Sequence, residues 1–262
     1  MVEYEAVASA IRSFARERVD AADADGVVLG VSGGLDSAVA ARLLADALGP
    51  DRVTGLVMPG APSDPEHMAD ARWLCRDLEL RWREHSIEPL VDSVEAVTPA
   101  EAGRTTTGNV RARARKLLEY RAANREGRLV VGADNRSEYQ LGYFTKYGDG
   151  ACDFRVLSPL YKLEVYDLAE HLGVDGRFVE KTPTAGLWEG QTDAGELGAP
   201  YEVVDPVLRE LLDRGASVAA AARRTDTDEA LVRRLADRHE SSAHKRSTPP
   251  APEVPIERER DP

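Results

Sequence analysis

Two cysteines in 262 residues, Cys75 and Cys152, lie in separate segments with no C-x-x-C spacing. That excludes a disulfide framework and a thiolate metal site, and it leaves both thiols as core or inert residues. Lysine is almost as scarce: Lys116, Lys146, Lys162, Lys181 and Lys245 are the only five among 34 basic residues, the rest being arginine. Acids outnumber bases 46 to 34, giving a net charge of −12, so the chain lacks the electropositive face that a nucleic-acid partner wants. An acidic surface poor in lysine suits concentrated salt, although a GC-rich genome would equally favour arginine. The salt reading expects structure to be lost on dialysis into dilute buffer. No apolar run nears the ~20 residues of a membrane span. The N-terminus, MVEYEAVASAIRSFARERVD, reads as an amphipathic helix without a signal-peptide pattern. The expectation is a cytoplasmic protein that partners neither a membrane nor a nucleic acid.

What is present is an ordinary globular composition, 42% hydrophobic, long enough for one large α/β domain or two small ones. Helix-period segments fall at 4–19, 36–48, 64–79, 105–125, 160–171, 203–213 and 228–241. Short apolar runs at 27–31, 53–58, 82–87 and 128–132 alternate with the earlier ones. Interleaved strands and helices predict a doubly wound parallel sheet, with ligands at the C-terminal ends of the strands. No repeat or linker divides the chain, so residues 1–247 read as one domain. A tail at 248–262, rich in proline and alternating charge, reads as extended or disordered.

The most informative segment is GVVLGVSGGLDS, residues 26–37. An apolar strand halts at Ser32, Gly33 and Gly34, and a run of strong helix formers carries Asp36 and Ser37 at its start. Glycines let the backbone approach a ligand closely, and N–H groups at a helix N-terminus converge on phosphate oxygens. A Walker A loop is excluded because no Gly-Lys-Ser/Thr follows. Gly30-Val31-Ser32-Gly33-Gly34 also fits G-x-S-x-G, a hydrolase elbow with Ser32 as nucleophile and His171, His239 or His244 as a possible base. Asp36 separates the two functional readings. Four residues after a nucleophilic serine it would repel a developing oxyanion, whereas an ATP site needs hard oxygen ligands to join Mg²⁺ to phosphate. A plain βα turn needs neither the serines nor the acid.

SGGLDS resembles the pyrophosphate loop of the ATP pyrophosphatase group, which cleaves ATP between its α and β phosphates and transfers AMP to a substrate oxygen. A second segment narrows this. Residues 132–153, GADNRSEYQLGYFTKYGDGACD, crowd aromatics and glycines around Glu138, Lys146, Asp149 and Asp153. Together with PTAGLWEGQTDAGELG at 183–198 and HKR-x-x-PP at 244–250, this segment resembles the ammonia-dependent NAD synthetases over residues 4–255. The resemblance implies a Rossmann-like fold of the adenine nucleotide alpha hydrolase type. It implies an enzyme that adenylates the nicotinate carboxylate of deamido-NAD with MgATP, releases pyrophosphate, and lets ammonia displace AMP. It also implies a homodimer with deamido-NAD at the interface, and free ammonia as nitrogen donor, since no amidase domain accompanies the fold.

By the same resemblance, Gly30, Val31, Ser32, Gly33, Gly34, Leu35, Asp36 and Ser37 would hold ATP, with Ala133, Lys162 and Thr184. Asp36 and Glu138 would be the Mg²⁺ ligands, and Asp36 and Lys162 the catalytic groups. Arg113, Lys146, Asp153, His244 and Lys245 would bind deamido-NAD. Helical spacing sets Asn109 and Arg113 on one face, Val110, Ala114 and Leu117 on the buried stripe, and Arg111 and Arg115 at the surface. Ala133 stands where the family commonly has a threonine, and one lost neutral hydrogen bond costs roughly 0.5–1.5 kcal/mol. The acidic, proline-rich segment after Met58 also departs from the family. Four glycines in 185–198 suggest a mobile lid. Two other readings stay open at this point: adenylation of a different small carboxylate, and a nucleotide sensor that releases no pyrophosphate.

Overall fold

The computed structural model describes residues 2–98 and 103–252. The elements run α1 (Tyr4–Ala21), β1 (Gly26–Gly30), α2 (Leu35–Leu48), β2 (Val53–Val57), α3 (Pro65–Asp77), β3 (Arg81–Glu84), α4 (Glu88–Val97) and α5 (Arg104–Glu126). After these come β4 (Arg128–Gly132), α6 (Arg136–Gln140), β5 (Phe154–Arg155), α7 (Lys162–His171) and α8 (Gly176–Val179). The chain continues with α9 (Asp193–Leu197), α10 (Tyr201–Leu208), α11 (Val218–Thr225), α12 (Glu229–Ser241) and α13 (Ala243–Arg246). Every long helix and every strand expected from periodicity is present, with ends shifted by a few residues. Strand β5 and the helices α6, α8, α9 and α13 were not foreseen, because two to five residues are too few to show a period; α4 and α11, of ten and eight residues, were missed as well. Residues 248–252 carry no regular element, and 253–262 of the expected tail lie outside the described residues.

All five strands are parallel, in the order β3-β2-β1-β4-β5. Val27 aligns with Val53 on one side and Leu129 on the other. Alternation along the strands sends Val27, Leu29, Val53, Val57 and Val131 to one face, where α1, α2, α3 and α7 cover them. Val28, Leu56 and Val130 point to the opposite face, under Ile87, Val91, Ala114, Ala122 and Ala123. A third cluster, built from α10, α11 and α12 around Val204, Leu208 and Val232, forms a helical layer. The chain steps outward from β1 to β3, then returns to the other side of β1 as β4. Strand order therefore reverses between β1 and β4, and the crevice of a doubly wound sheet opens there.

Helix α5 corrects one expectation. Leu117, placed on the buried stripe, is 59% exposed, while Arg115, placed at the surface, lies inside and donates from Nε to the Met58 carbonyl at 3.0 Å. Ala114 is buried as expected, and Ala112, Lys116, Glu119, Ala122 and Ala123 are buried with it. A buried ion pair, Lys116 Nζ to Glu119 Oε2 at 2.7 Å, occupies a stripe that hydrophobicity alone assigns to solvent. Burial pushes the Cys75 thiol up to about 12 and the Cys152 thiol to about 11, which disfavours the reactive thiolate in both.

Asp205 of α10 is completely buried. Burial raises its carboxyl to about 6 from 3.8, against the opposing hydrogen bonds from the Ser137 hydroxyl and the Leu163 N–H. A raised carboxyl favours the protonated native state, so its contribution is full below about pH 4 and is lost as pH rises through 6. The two-unit shift amounts to an order of about 3 kcal/mol. We expect the stability of the wild type relative to Asp205→Asn to decline by up to that amount between pH 4 and 6.5 in denaturant titrations. A pH-independent difference would contradict it.

Candidate active site at the sheet switch point

Strand β1 ends at Gly30, and the backbone turns through Val31–Gly34 into α2. Three hydroxyl contacts knit the turn: Gly34 N donates to Ser32 Oγ at 3.2 Å, Ser37 Oγ donates to the Gly34 carbonyl at 3.0 Å, and the two serine hydroxyls lie 3.1 Å apart. Gly33 has φ +78°, and a Cβ there would fall 1.9 Å from the His67 carbonyl oxygen of α3. Only glycine fits. We expect Gly33→Ala to displace the turn from α3 and abolish ATP binding, with a strain cost of about 1–3 kcal/mol. Nucleotide titration beside a melt would check it, and wild-type affinity would mean the turn does not hold nucleotide.

The elbow reading of Ser32 fails on its partners. Among the described residues, its hydroxyl meets Ser37 and Gly34. His171 pairs with Glu5, His239 with the Gln140 carbonyl, and His244 accepts Lys146 at its carbonyl. Among the described residues no histidine is hydrogen-bonded to the Ser32 hydroxyl as a general base must be.

A cavity of about 290 Å³ opens at the crevice, lined by this turn, the segment after β4, the start of α7 and residues 181–187. Asp36, on the first turn of α2, forms an ion pair with Lys162, the first residue of α7. Its other oxygen accepts from Asn135 Nδ2 at 3.2 Å. Asn135 also caps α6: its Oδ1 accepts from Glu138 N at 3.0 Å, while its own N–H donates to Glu138 Oε2 at 3.2 Å. One buried asparagine thus fastens the carboxylates of Asp36 and Glu138 to a common point. The capping-box spacing, Asn135 to Glu138, was legible in the sequence, but the bond to Asp36 joins residues 99 apart.

Burial raises the Glu138 carboxyl well above its usual range, and the Asp36 charge raises it further. Burial works against the Lys162 ammonium, yet Asp36 and Glu138 outweigh it and raise its pKa. Two like charges beside one ammonium form a site that gains from a further cation. Hard carboxylate oxygens beside the serine-glycine turn suit Mg²⁺, which takes one or two carboxylates and fills its shell with phosphate and water. Among the described residues no cluster of three or more His, Cys, Asp or Glu is arranged to hold a metal.

Ala133 and Thr184 also line the cavity. The Thr184 hydroxyl is engaged in its own loop, donating to the Gln191 carbonyl at 2.7 Å and accepting from Gly186 N at 3.1 Å. Lys181, Arg115, Lys116 and Glu119 line the cavity too and escaped the sequence reading. Lys181 donates to the Gly33 carbonyl at 2.8 Å and pairs with Asp70 at 2.5 Å. Arg115 and the Lys116–Glu119 pair form the far wall. The scarcity of lysine was the available signal, since Lys116, Lys162 and Lys181 all reach this one cavity.

The remaining residues of interest gather elsewhere. Arg113 donates to the Lys146 carbonyl at 3.2 Å, and Lys146 to the His244 carbonyl at 2.5 Å. Lys245 donates to the carbonyls of Gly142 and Phe144, both at 2.8 Å. Arg113, Lys146 and His244 are therefore chained together on the outer side of α5, beyond the cavity lining. Asp153 stands apart from that chain, its carboxylate accepting from Val130 N at 2.7 Å.

Comparison with known proteins bears on this arrangement. A family model described as NAD synthase matches residues 7–249. The "NH(3)-dependent NAD(+) synthetase" of Halobacterium salinarum is 45% identical, with 92% of this chain and 91% of the relative covered. That of Hyperthermus butylicus is 44% identical over 96% and 92%. Among solved structures, an NMN synthetase from Francisella tularensis superposes with a TM-score of 0.85 at 33% identity, covering 97% of this chain and all of that one. An NH3-dependent NAD synthetase from Campylobacter jejuni superposes at 0.82 with 31% identity, with the same coverage. Sequence and backbone agree from end to end of the matched region, and the chain belongs to the NAD synthase family.

Proposed function

We propose that the chain amidates deamido-NAD to NAD with ammonia, activating the nicotinate carboxylate as an adenylate and releasing AMP and pyrophosphate. Membership of the family supports the reaction, and the convergence of Asp36, Glu138 and Lys162 beside the serine-glycine turn carries the site assignment. A carboxylate is a poor electrophile toward ammonia, so activation comes first. The turn N–H groups and the start of α2 bind the phosphates. Lys162 places a positive charge where negative charge gathers on the leaving pyrophosphate. Asp36 and Glu138 would hold Mg²⁺, which when bound neutralises phosphate oxygens and orients them. Asn135 keeps both carboxylates aimed into the cavity. The remaining acceleration comes from holding the carboxylate oxygen in line with the α-phosphorus.

We place deamido-NAD against Arg113, Lys146 and the His244-Lys245 pair, with its nicotinate end reaching the cavity. Arginine suits its pyrophosphate through two parallel charge-assisted hydrogen bonds. Leu117 lies one helical turn from Arg113, and with Tyr147, both 59% exposed, it offers apolar area to a second copy of the chain. That supports a homodimer with substrate at the interface. Among the described residues no helix is long and apolar enough to cross a membrane. The decisive experiment is pyrophosphate release from MgATP with deamido-NAD plus ammonium, each then omitted in turn. Release that needs the dinucleotide, with NAD formed only when ammonium is present, supports the reading; release indifferent to the dinucleotide overturns it. The likeness to a protein described as an NMN synthetase makes the corresponding mononucleotide the second substrate to compare.

A further inference from the structure

The residue at the N-cap of α7 is Tyr161, a side chain with no capping oxygen within reach of the first turn, and the helix that delivers Lys162 must find acceptors for its first N–H groups elsewhere. It finds them in trans. Lys162 N donates to Ser137 Oγ at 3.0 Å, and Leu163 N donates to Asp205 Oδ2 at 2.9 Å. The Ser137 hydroxyl then donates to the other oxygen of the same carboxylate, Asp205 Oδ1, at 2.5 Å. Asp205 is completely buried, as is Ser137. Ser137 precedes Glu138 on the five-residue α6, and Lys162 opens α7. One carboxylate from α10 therefore ties together the two short elements that carry Glu138 and Lys162, and anchors both to the helical layer.

We propose that Asp205 is a positioning residue for the adenylation step: through Ser137 it fixes the spacing between the Glu138 carboxylate and the Lys162 ammonium. This rests on the role assigned to Lys162 above. A helix start held only by its own backbone would fray by a fraction of an ångström to an ångström, and misplacement on that scale costs turnover far more than it costs binding. The acceptor geometry is also specific. Both groups facing the carboxylate are donors, so asparagine can satisfy Leu163 N through its oxygen but must turn its amide toward Ser137, which already accepts from Lys162. Alanine satisfies neither.

The test compares Asp205→Ala, Asp205→Asn and Ser137→Ala with Val232→Ala, a cavity-forming change in the same helical core and outside the site. All are assayed where melts show the protein folded, for kcat, for KM of deamido-NAD and for Tm. The expected result is a fall in kcat of tenfold or more for Asp205→Ala and Ser137→Ala, with KM within about twofold, and an intermediate value for Asp205→Asn. Val232→Ala should lower Tm with kcat within about twofold of wild type. Wild-type kcat in both Asp205→Ala and Ser137→Ala, or an equal loss in Val232→Ala, overturns the proposal. Should Asp205→Ala not fold, Ser137→Ala and Asp205→Asn decide it. Lys162→Ala run alongside separates the two claims: if it turns over normally the Lys162 assignment fails, and if it alone is impaired only the present inference fails.

Discussion

Asp36→Asn is expected to lower kcat for NAD formation by about two to three orders of magnitude, the scale of losing one electrostatic contributor to the transition state, because a neutral amide would hold Mg²⁺ less firmly against the phosphates. Asparagine preserves shape, so the effect isolates charge. In the folded protein Asp36 accepts from two sides, from Lys162 and from Asn135. An amide in its place can accept from only one and turns a donor toward the other. Glu138 remains beside Lys162 to balance its ammonium, and the Tm should move by only a few degrees. Steady-state pyrophosphate release, with a melt on the same sample, measures both quantities. Turnover at the wild-type rate would remove Asp36 from the chemistry.

The second large effect is expected at Lys162. Lys162→Ala should cost a similar factor of about 10²–10³ in kcat, and Lys162→Arg should fail to restore it. Lysine here is 3% exposed and ends in a compact ammonium between two carboxylates and the rings of Tyr166 and Tyr201. A planar guanidinium needs a wider slot and a different hydrogen-bond geometry. Without the ammonium, the Asp36 and Glu138 carboxylates face each other uncompensated, so the variant should also need less Mg²⁺ for half-maximal activity. A magnesium titration unchanged from wild type would show that Lys162 is remote from that pair.

The parts of this protein that were legible in the chain are those whose cause is local. The strands around Val28, Leu56 and Val130 are apolar throughout because both faces are covered, and the turn at Ser32–Ser37 advertises itself through residues six apart at most. Asp36 stood out because it lies just past the C-terminal end of a strand, whereas Glu138 was singled out through the family resemblance of its segment. What was hidden depends on pairing across long separations. Arg115, Lys116 and Glu119 look like a solvated helix face until the sheet is laid over them. Asn135 reads as an ordinary cap until Asp36 is brought beside it. Asp205 is one aspartate in an amphipathic helix, and its importance comes from two donors contributed by Ser137 and Leu163.

None of the five lysine ammoniums stands free on the surface. Lys116, Lys162 and Lys181 line the cavity, Lys245 is tied to two backbone carbonyls, and Lys146 is bound to a third. For a reagent that acylates primary amines, the described surface offers almost no lysine besides Lys146. Modification of such amines, which on most proteins samples the exterior, would here sample the interior, and the extent of labelling should fall when nucleotide fills the crevice.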